Sequence, residues 1–158
     1  MKKKWIVGIL AVLVVLAVLL LPLPQRVDVT LSGGILQDGT VEQETELSLR
    51  GWYFRYLVRQ DRLTVDLTVT PFLPEPDSGL AVLFDGYVLS PDGANWKLAT
   101  ATRYSESENA MVFMTLCFAD DFSAITWTDQ QDQGHLYVTA EDPEADLAAI
   151  AQQLGTEF

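Results

Sequence analysis

The residues best suited to chemistry lie in Arg50-Gly51-Trp52-Tyr53-Phe54-Arg55-Tyr56-Leu57-Val58-Arg59, where three arginines stand among four aromatics. Aromatic faces flanked by guanidinium groups suit sugars, peptide carboxylates or other anionic groups. The composition points to a ligand-binding patch of Arg50, Tyr53 and Arg55, provided these side chains reach solvent. The competing reading makes the segment a core strand. If the following turn centres on Gln60-Asp61, then Trp52, Phe54, Tyr56 and Val58 face Val69, Leu67, Val65 and Leu63, and all eight are apolar. That register sets Arg55 opposite Asp66. It also predicts a loss of about 3–5 kcal/mol for Trp52→Ala, as expected for a buried aromatic.

A second pair with chemical capacity is Asp120-Asp121. Two carboxylates can divide acid and base roles in a hydrolase, but their separation in space decides the matter, not their adjacency in sequence. The competing reading is a turn-forming pair. His135 is the single histidine, so a two-histidine metal site cannot form within one chain, and no nucleotide-binding or nucleophile-elbow motif occurs. Asp129-Gln130-Gln131-Asp132-Gln133-Gly134 has the outline of a calcium loop. Glutamines occupy two ligand positions, however, and Ala140 stands where a bidentate glutamate is required. Cys117, the only cysteine, lies in a run apolar on both faces and is expected to be a small buried hydrophobe without nucleophilic character. The sequence thus predicts no metal site and no cofactor.

The elements that must position these residues follow a period of two. Val27, Val29 and Leu31 alternate with polar residues, as do Val41–Leu49 and Leu63–Val69. Turn signals at Ser32-Gly33-Gly34, Asp38-Gly39, Asp85-Gly86, Pro91-Asp92-Gly93 and Asp132-Gln133-Gly134 separate the runs. Further strands are expected at 80–84 and 87–90, 96–104, 110–118, 124–128 and 135–140. Asp85-Gly86 marks either a tight turn or a bulge within one strand, and the prolines at 71, 74 and 76 make 71–79 a loop. Asp142, Pro143 and Glu144 carry helix-start chemistry ahead of a Leu147, Ile150, Ala151, Leu154 stripe, which predicts a short helix near 143–154. The expected fold is mainly β: one antiparallel β-sandwich or barrel-like domain over 26–158 of about seven to nine strands, with that short C-terminal α-helix.

Trp5 to Leu21 contains no charged residue, follows Lys2-Lys3-Lys4 and runs into Pro22-Leu23-Pro24. No small-x-small cleavage site follows it, so a retained transmembrane anchor over 5–23, or an uncleaved signal, is expected rather than a removed signal peptide. Residues 1–4 form its cytoplasmic basic flank, residues 5–21 meet the lipid bilayer, and 26–158 lie outside.

All 22 acidic residues but only seven of the ten basic ones follow the apolar segment, so residues 26–158 carry a formal charge of −15. This excludes nucleic acid as a natural partner and favours basic proteins or cations. Glu42, Glu44 and Glu46 share one strand face and could meet such a partner. The functional expectation is a membrane-anchored, extracytoplasmic, non-enzymatic binding module of the cell envelope. A hydrolase working through carboxylates such as Asp120 and Asp121 is the alternative.

Overall fold

The structure is a computed structural model of the chain and describes residues 2–37, 40–72, 79–90, 96–105, 109–129 and 136–139. One helix, α1 (Lys2–Leu20), precedes eight strands: β1 (Leu23–Gln37), β2 (Thr40–Arg55), β3 (Arg62–Thr70), β4 (Leu80–Tyr87), β5 (Trp96–Ser105), β6 (Ala110–Ala119), β7 (Ile125–Asp129) and β8 (Leu136–Val138). The strands form one antiparallel sheet in the order β4-β3-β2-β1-β8-β7-β6-β5. Each strand therefore neighbours the strand before or after it in sequence, and β1 pairs with β8 across the ends of the domain. The two outermost strands also meet. Leu89, just beyond β4, and Leu98 of β5 exchange both backbone hydrogen bonds, at 2.8 and 2.9 Å.

The alternation expected along β3 is present: Leu63, Val65, Leu67 and Val69 are buried. Along β2 the face differs from expectation. Leu47 pairs with Val69, Leu49 with Leu67, Gly51 with Val65 and Tyr53 with Leu63, which centres the hairpin on Val58 rather than on Gln60-Asp61. Odd-numbered residues therefore point inward. Trp52 is 47 % exposed and Tyr53 fully buried, the reverse of what the assumed turn required. Arg50, not Arg55, stands opposite Asp66. The physical reason is that β2 is one 16-residue strand running through Gly51, so the parity set by Leu47 and Leu49 carries on to Tyr53. Gly51 allows this at a crowded crossing: a Cβ there would lie 2.2 Å from the Thr64 carbonyl oxygen.

Ser32-Gly33-Gly34 is likewise not a turn but the interior of β1. A Cβ on Gly33 would meet the Val138 carbonyl oxygen at 1.9 Å, so this glycine serves close backbone approach to β8. Asp85-Gly86 lies within an unbroken β4, whose register with β3 runs without a shift. Gln37 pairs with Thr40, and the turn expected at Asp38-Gly39 lies outside the described residues. The expected helix near 143–154, His135 and residues 130–134 of the calcium-like loop also lie outside the described residues.

The inward faces build one large core, and Leu36 and Val138 form a second, small cluster with Val41, Trp96 and Leu136. Trp127 packs on Tyr137 with ring centroids 4.5 Å apart, and Phe72 lies edge-on to Trp127 at 5.9 Å. Val27, Leu47, Leu49, Leu67, Phe84 and Met114 belong to the same core cluster as these rings and Tyr53. Thr139 Oγ1 accepts from the Ile125 amide at 2.8 Å and donates to the Ile125 carbonyl at 3.1 Å, fixing the end of β8 against β7. Cys117 is buried, and burial pushes its thiol above the usual value, which suits a small core residue.

Two features of the fold bear on function. The apolar part of α1 begins at Trp5 and covers about 24 Å of rise, and among the described residues no helix is long and apolar enough to cross a membrane. In addition, only Leu21 and Pro22 separate α1 from β1, whose first residue, Leu23, already pairs with Arg55 at the close of β2. The end of the sheet where β1 begins, here the near end, also carries the β2–β3 loop at 56–61 and the β6–β7 turn at 120–124.

Candidate functional site

Tyr53 reaches the near end from inside the sheet. Its ring meets Phe118 and Phe122 edge-on at 6.2 and 6.0 Å, and those two rings stack on each other at 4.8 Å. These contacts fix the phenol, whose hydroxyl donates to Asp61 Oδ2 and accepts from Lys97 Nζ at 2.5 Å. Asp61 is held in turn: its Oδ1 accepts from the Tyr56 amide at 2.8 Å, so it closes the β2–β3 loop as it receives the phenol. Lys97, from β5, also lies 3.2 Å from Asp120 Oδ1 and 3.8 Å from Asp61 Oδ2. The Arg55 guanidinium lies 5.3 Å from the Tyr53 ring centroid and donates weakly to the Asp120 carbonyl at 3.4 Å. Its Nε is buried without a hydrogen-bond partner among the described residues.

The electrostatics follow from this packing. Burial, then the hydrogen bond and charge of Asp61, push the Tyr53 phenol well above its ordinary pKa, with Arg55 acting in the opposite sense. Tyr53 therefore stays protonated and serves as a donor. Lys97 Nζ lies between the carboxylates of Asp61 and Asp120. Paired carboxylates in hydrolases need the intervening space for a water or a substrate atom, and here an ammonium group fills it. Asp121 takes no part: its Oδ1 accepts from the Ser123 amide at 3.0 Å, and the Ser123 hydrogen bonds hold its carboxyl below the usual range. Asp120 and Asp121 thus have separate roles, one on Lys97 and one in the turn.

Of the three residues expected to form an exposed patch, the structure brings two together. Tyr53 and Arg55 meet in the near-end cluster, with Tyr53 buried, whereas Arg50 stands on the outer face beside Asp28 at 3.5 Å. Sequence reasoning missed Asp61 and Lys97 as partners of Tyr53. The parity of Leu47 and Leu49 was the signal that would have turned Tyr53 inward, but no local pattern points to Lys97, 44 residues away.

The outer face of the same strands carries the exposed aromatics. Arg26, Trp52, Thr64 and Asp85 form one row across β1 to β4, and Pro24, Phe54, Arg62 and Tyr87 form the next. Trp52 and Phe54 stack at 6.5 Å. Arg62 grips Asp85 through contacts of 2.9 to 3.1 Å, and the Arg62 and Thr64 hydrogen bonds hold the Asp85 carboxyl below the usual range. Glu44 and Glu46 lie at the opposite end of β2, also on its outer face, and Glu42 is exposed at the register shift between β1 and β2. Among the described residues no group of three His, Cys, Asp or Glu side chains is arranged to hold a metal ion. No protein-family model matches the chain, and no curated protein or solved structure is detectably similar to it.

Proposed function

We propose that this chain is a single-pass membrane-anchored module whose sheet closes on itself as a barrel-like domain outside the membrane, where it binds a partner in the cell envelope without catalysis. One observation carries the reading. Large apolar side chains of α1 are exposed around its circumference, from Trp5, Ile6 and Val7 through Ile9, Leu10 and Val12–Leu16 to Leu20. A helix apolar on all sides needs lipid or protein around it. The basic flank of Lys2, Lys3 and Lys4 favours the cytoplasmic side for that end, and Leu21 and Leu23 extend the apolar length beyond that of Trp5–Leu20.

The non-enzymatic part rests on the near-end cluster, where Lys97 occupies the space between Asp61 and Asp120 and Asp121 is tied into its turn. With the near end next to the anchor, the acidic residues Glu42, Glu44 and Glu46 lie at the far end, where a basic protein partner would be met. Extraction of membranes with alkaline carbonate tests the anchor: the full chain should stay in the pellet, and reporter fusions at Gln25 and Phe158 should both report an external location. Release into the supernatant would refute the anchor. Hydrolysis of chromogenic glycosides or esters by the purified chain, abolished by Asp120→Asn, would replace the binding reading with the hydrolase.

A further inference from the structure

The near end carries more exposed apolar surface than its role as a sheet terminus requires. Leu23, Trp52, Leu57, Val58, Tyr87 and Leu89 are all exposed, between 47 % and 69 %. They come from four segments of chain that converge there. Leu23 pairs with Arg55 at the base of the β2–β3 loop, Leu57 and Val58 form the tip of that loop, and Tyr87 pairs with Arg62 where the loop returns to β3. Leu89 follows directly, and the loop is tied to this segment by the Val88 amide donating to the Asp61 carbonyl at 2.9 Å and by Gln60 Nε2 donating to the Val88 carbonyl at 3.1 Å. The tip is therefore held in place rather than free to fold its leucine and valine inward.

We propose that the Leu57-Val58-Arg59 tip inserts into the interface of the same bilayer that α1 enters, seating the near end of the sheet on the lipid surface. The inference rests on the anchor reading and adds a second membrane contact to it. Three observations support lipid as the occupant. First, the chain leaves α1 and enters β1 with two residues between them, so the near end cannot stand far from the helix exit. The strand spacing of about 4.8 Å then sets the Arg55 base of the loop beside Leu23.

Second, the side chains are those of a membrane interface: Trp52 and Tyr87 have amphipathic rings, and Leu57 and Val58 form an apolar tip. Third, charge differs along the molecule. Arg26, Arg55, Arg59, Arg62 and Lys97 lie at the near end, where Asp28, Asp61, Asp85, Asp120 and Asp121 balance them. Arg26 pairs with Asp28 at 2.9 Å, Arg62 with Asp85 at 2.9 Å and Lys97 with Asp120 at 3.2 Å. The Arg59 guanidinium lies on the Tyr56 ring, 3.8 Å from its centroid, and remains able to meet a lipid phosphate. The outer face at the other end of β2 carries Glu44 and Glu46, which an anionic surface repels.

The test uses the full chain reconstituted into phosphatidylcholine vesicles, with and without phosphatidylglycerol. An environment-sensitive fluorophore is placed at Val58→Cys, at Leu89→Cys or, as the far-end control, at Glu44→Cys. Buried Cys117 stays in place and unlabelled. Nitroxide-bearing lipids should quench the labels at 58 and 89, with the label at 58 lying about 5–10 Å into the headgroup and acyl boundary. The label at 44 should remain accessible to aqueous iodide and unquenched by lipid, and phosphatidylglycerol should deepen quenching at 58. If the protein fails to float with the vesicles, the anchor falls and this inference falls with it. If it floats and the label at 58 is as water-accessible as that at 44, the anchor stands and the docking is overturned. A label at 58 shielded from iodide but unquenched by lipid would mean that a protein surface covers the tip, which also overturns it.

Discussion

Substitutions at Trp52 and Tyr53 separate the inward from the outward side of β2 more sharply than any other neighbouring pair. Tyr53 is fully buried, with two aromatic rings edge-on to it and a hydroxyl between Asp61 and Lys97. Tyr53→Ala empties an aromatic site, which costs about 3–5 kcal/mol. It also leaves the Asp61 carboxylate and the Lys97 ammonium without their shared partner, adding about 1–3 kcal/mol. Tyr53→Phe keeps the ring and removes only the hydroxyl, so its expected cost is about 1.5–3 kcal/mol, the range for hydrogen bonds to charged groups. Trp52→Ala loses a half-exposed ring stacked on Phe54 at 6.5 Å and should cost below about 1 kcal/mol. Denaturant melts of the full chain in a mild detergent, followed by near-ultraviolet circular dichroism, report the sheet through buried Trp127 and its neighbours. The expected order of loss is Tyr53→Ala, then Tyr53→Phe, then Trp52→Ala. A loss for Trp52→Ala equal to that for Tyr53→Ala would refute the inward parity of β2 and the site built on it.

Three further outcomes follow from particular contacts. Gly51→Ala should destabilise by more than about 3 kcal/mol in the same melts, because its Cβ would meet the Thr64 carbonyl at 2.2 Å, whereas Gly86→Ala, whose nearest neighbour is 3.8 Å away, should stay within about 0.5 kcal/mol. Asp85 has a lowered pKa in the folded protein, so its contribution is complete above the unfolded value of about 4 and is lost as pH falls through the folded value. Melting temperature should therefore drop on acidification below about pH 4, and by less in Arg62→Ala. Tyr53 has a raised pKa, so its contribution is complete below about pH 10 and is lost as pH climbs from there towards the folded value. In an alkaline titration followed at the phenolate absorbance band, Tyr53 should ionise only with unfolding, and Tyr53→Phe should lower the delayed amplitude by one tyrosine.

Much of the sheet was legible because strand alternation is a local signal. The runs at Leu63–Val69, 96–104, 110–118 and 124–128 each became a strand of the sheet within a residue or two of the expected bounds. What failed was the placing of turns. Gly33 was read as part of a turn, yet it sits inside a long strand where a neighbouring backbone passes too close for a side chain. Centring the second hairpin on Gln60-Asp61 instead of Val58 reset the parity of β2 and put Trp52 in the core. The aromatic content of Trp52 and Phe54 supported that error, since apolar residues on an outer face look the same in sequence as those on an inner one. Of the near-end cluster, Tyr53 and Arg55 were singled out and Asp120 was noted, but their assembly was not legible. It depends on β5 and the β6–β7 turn returning to the β2–β3 loop, and that proximity is set by the meeting of the outermost strands and not by any local motif.

The strand order has a consequence for how the domain is put together. β1 to β4 and β5 to β8 are two four-stranded meanders in which each strand pairs with its sequence neighbour. The described backbone joins between them are the three residue pairs linking β1 to β8 and the single Leu89–Leu98 bridge. Each meander can therefore form from contacts close in sequence, which is the fast kind for a β protein. Neither is complete alone: Leu47, Leu67 and Phe84 of the first half belong to the same core as Met114, Phe118 and Trp127 of the second. The halves are obligate complements, thinly stitched along the backbone and thickly bonded through their side chains. A chain cut between β4 and β5 should yield two fragments with complementary apolar faces, whose joining would be the docking of two half-cores rather than the addition of one strand to an edge.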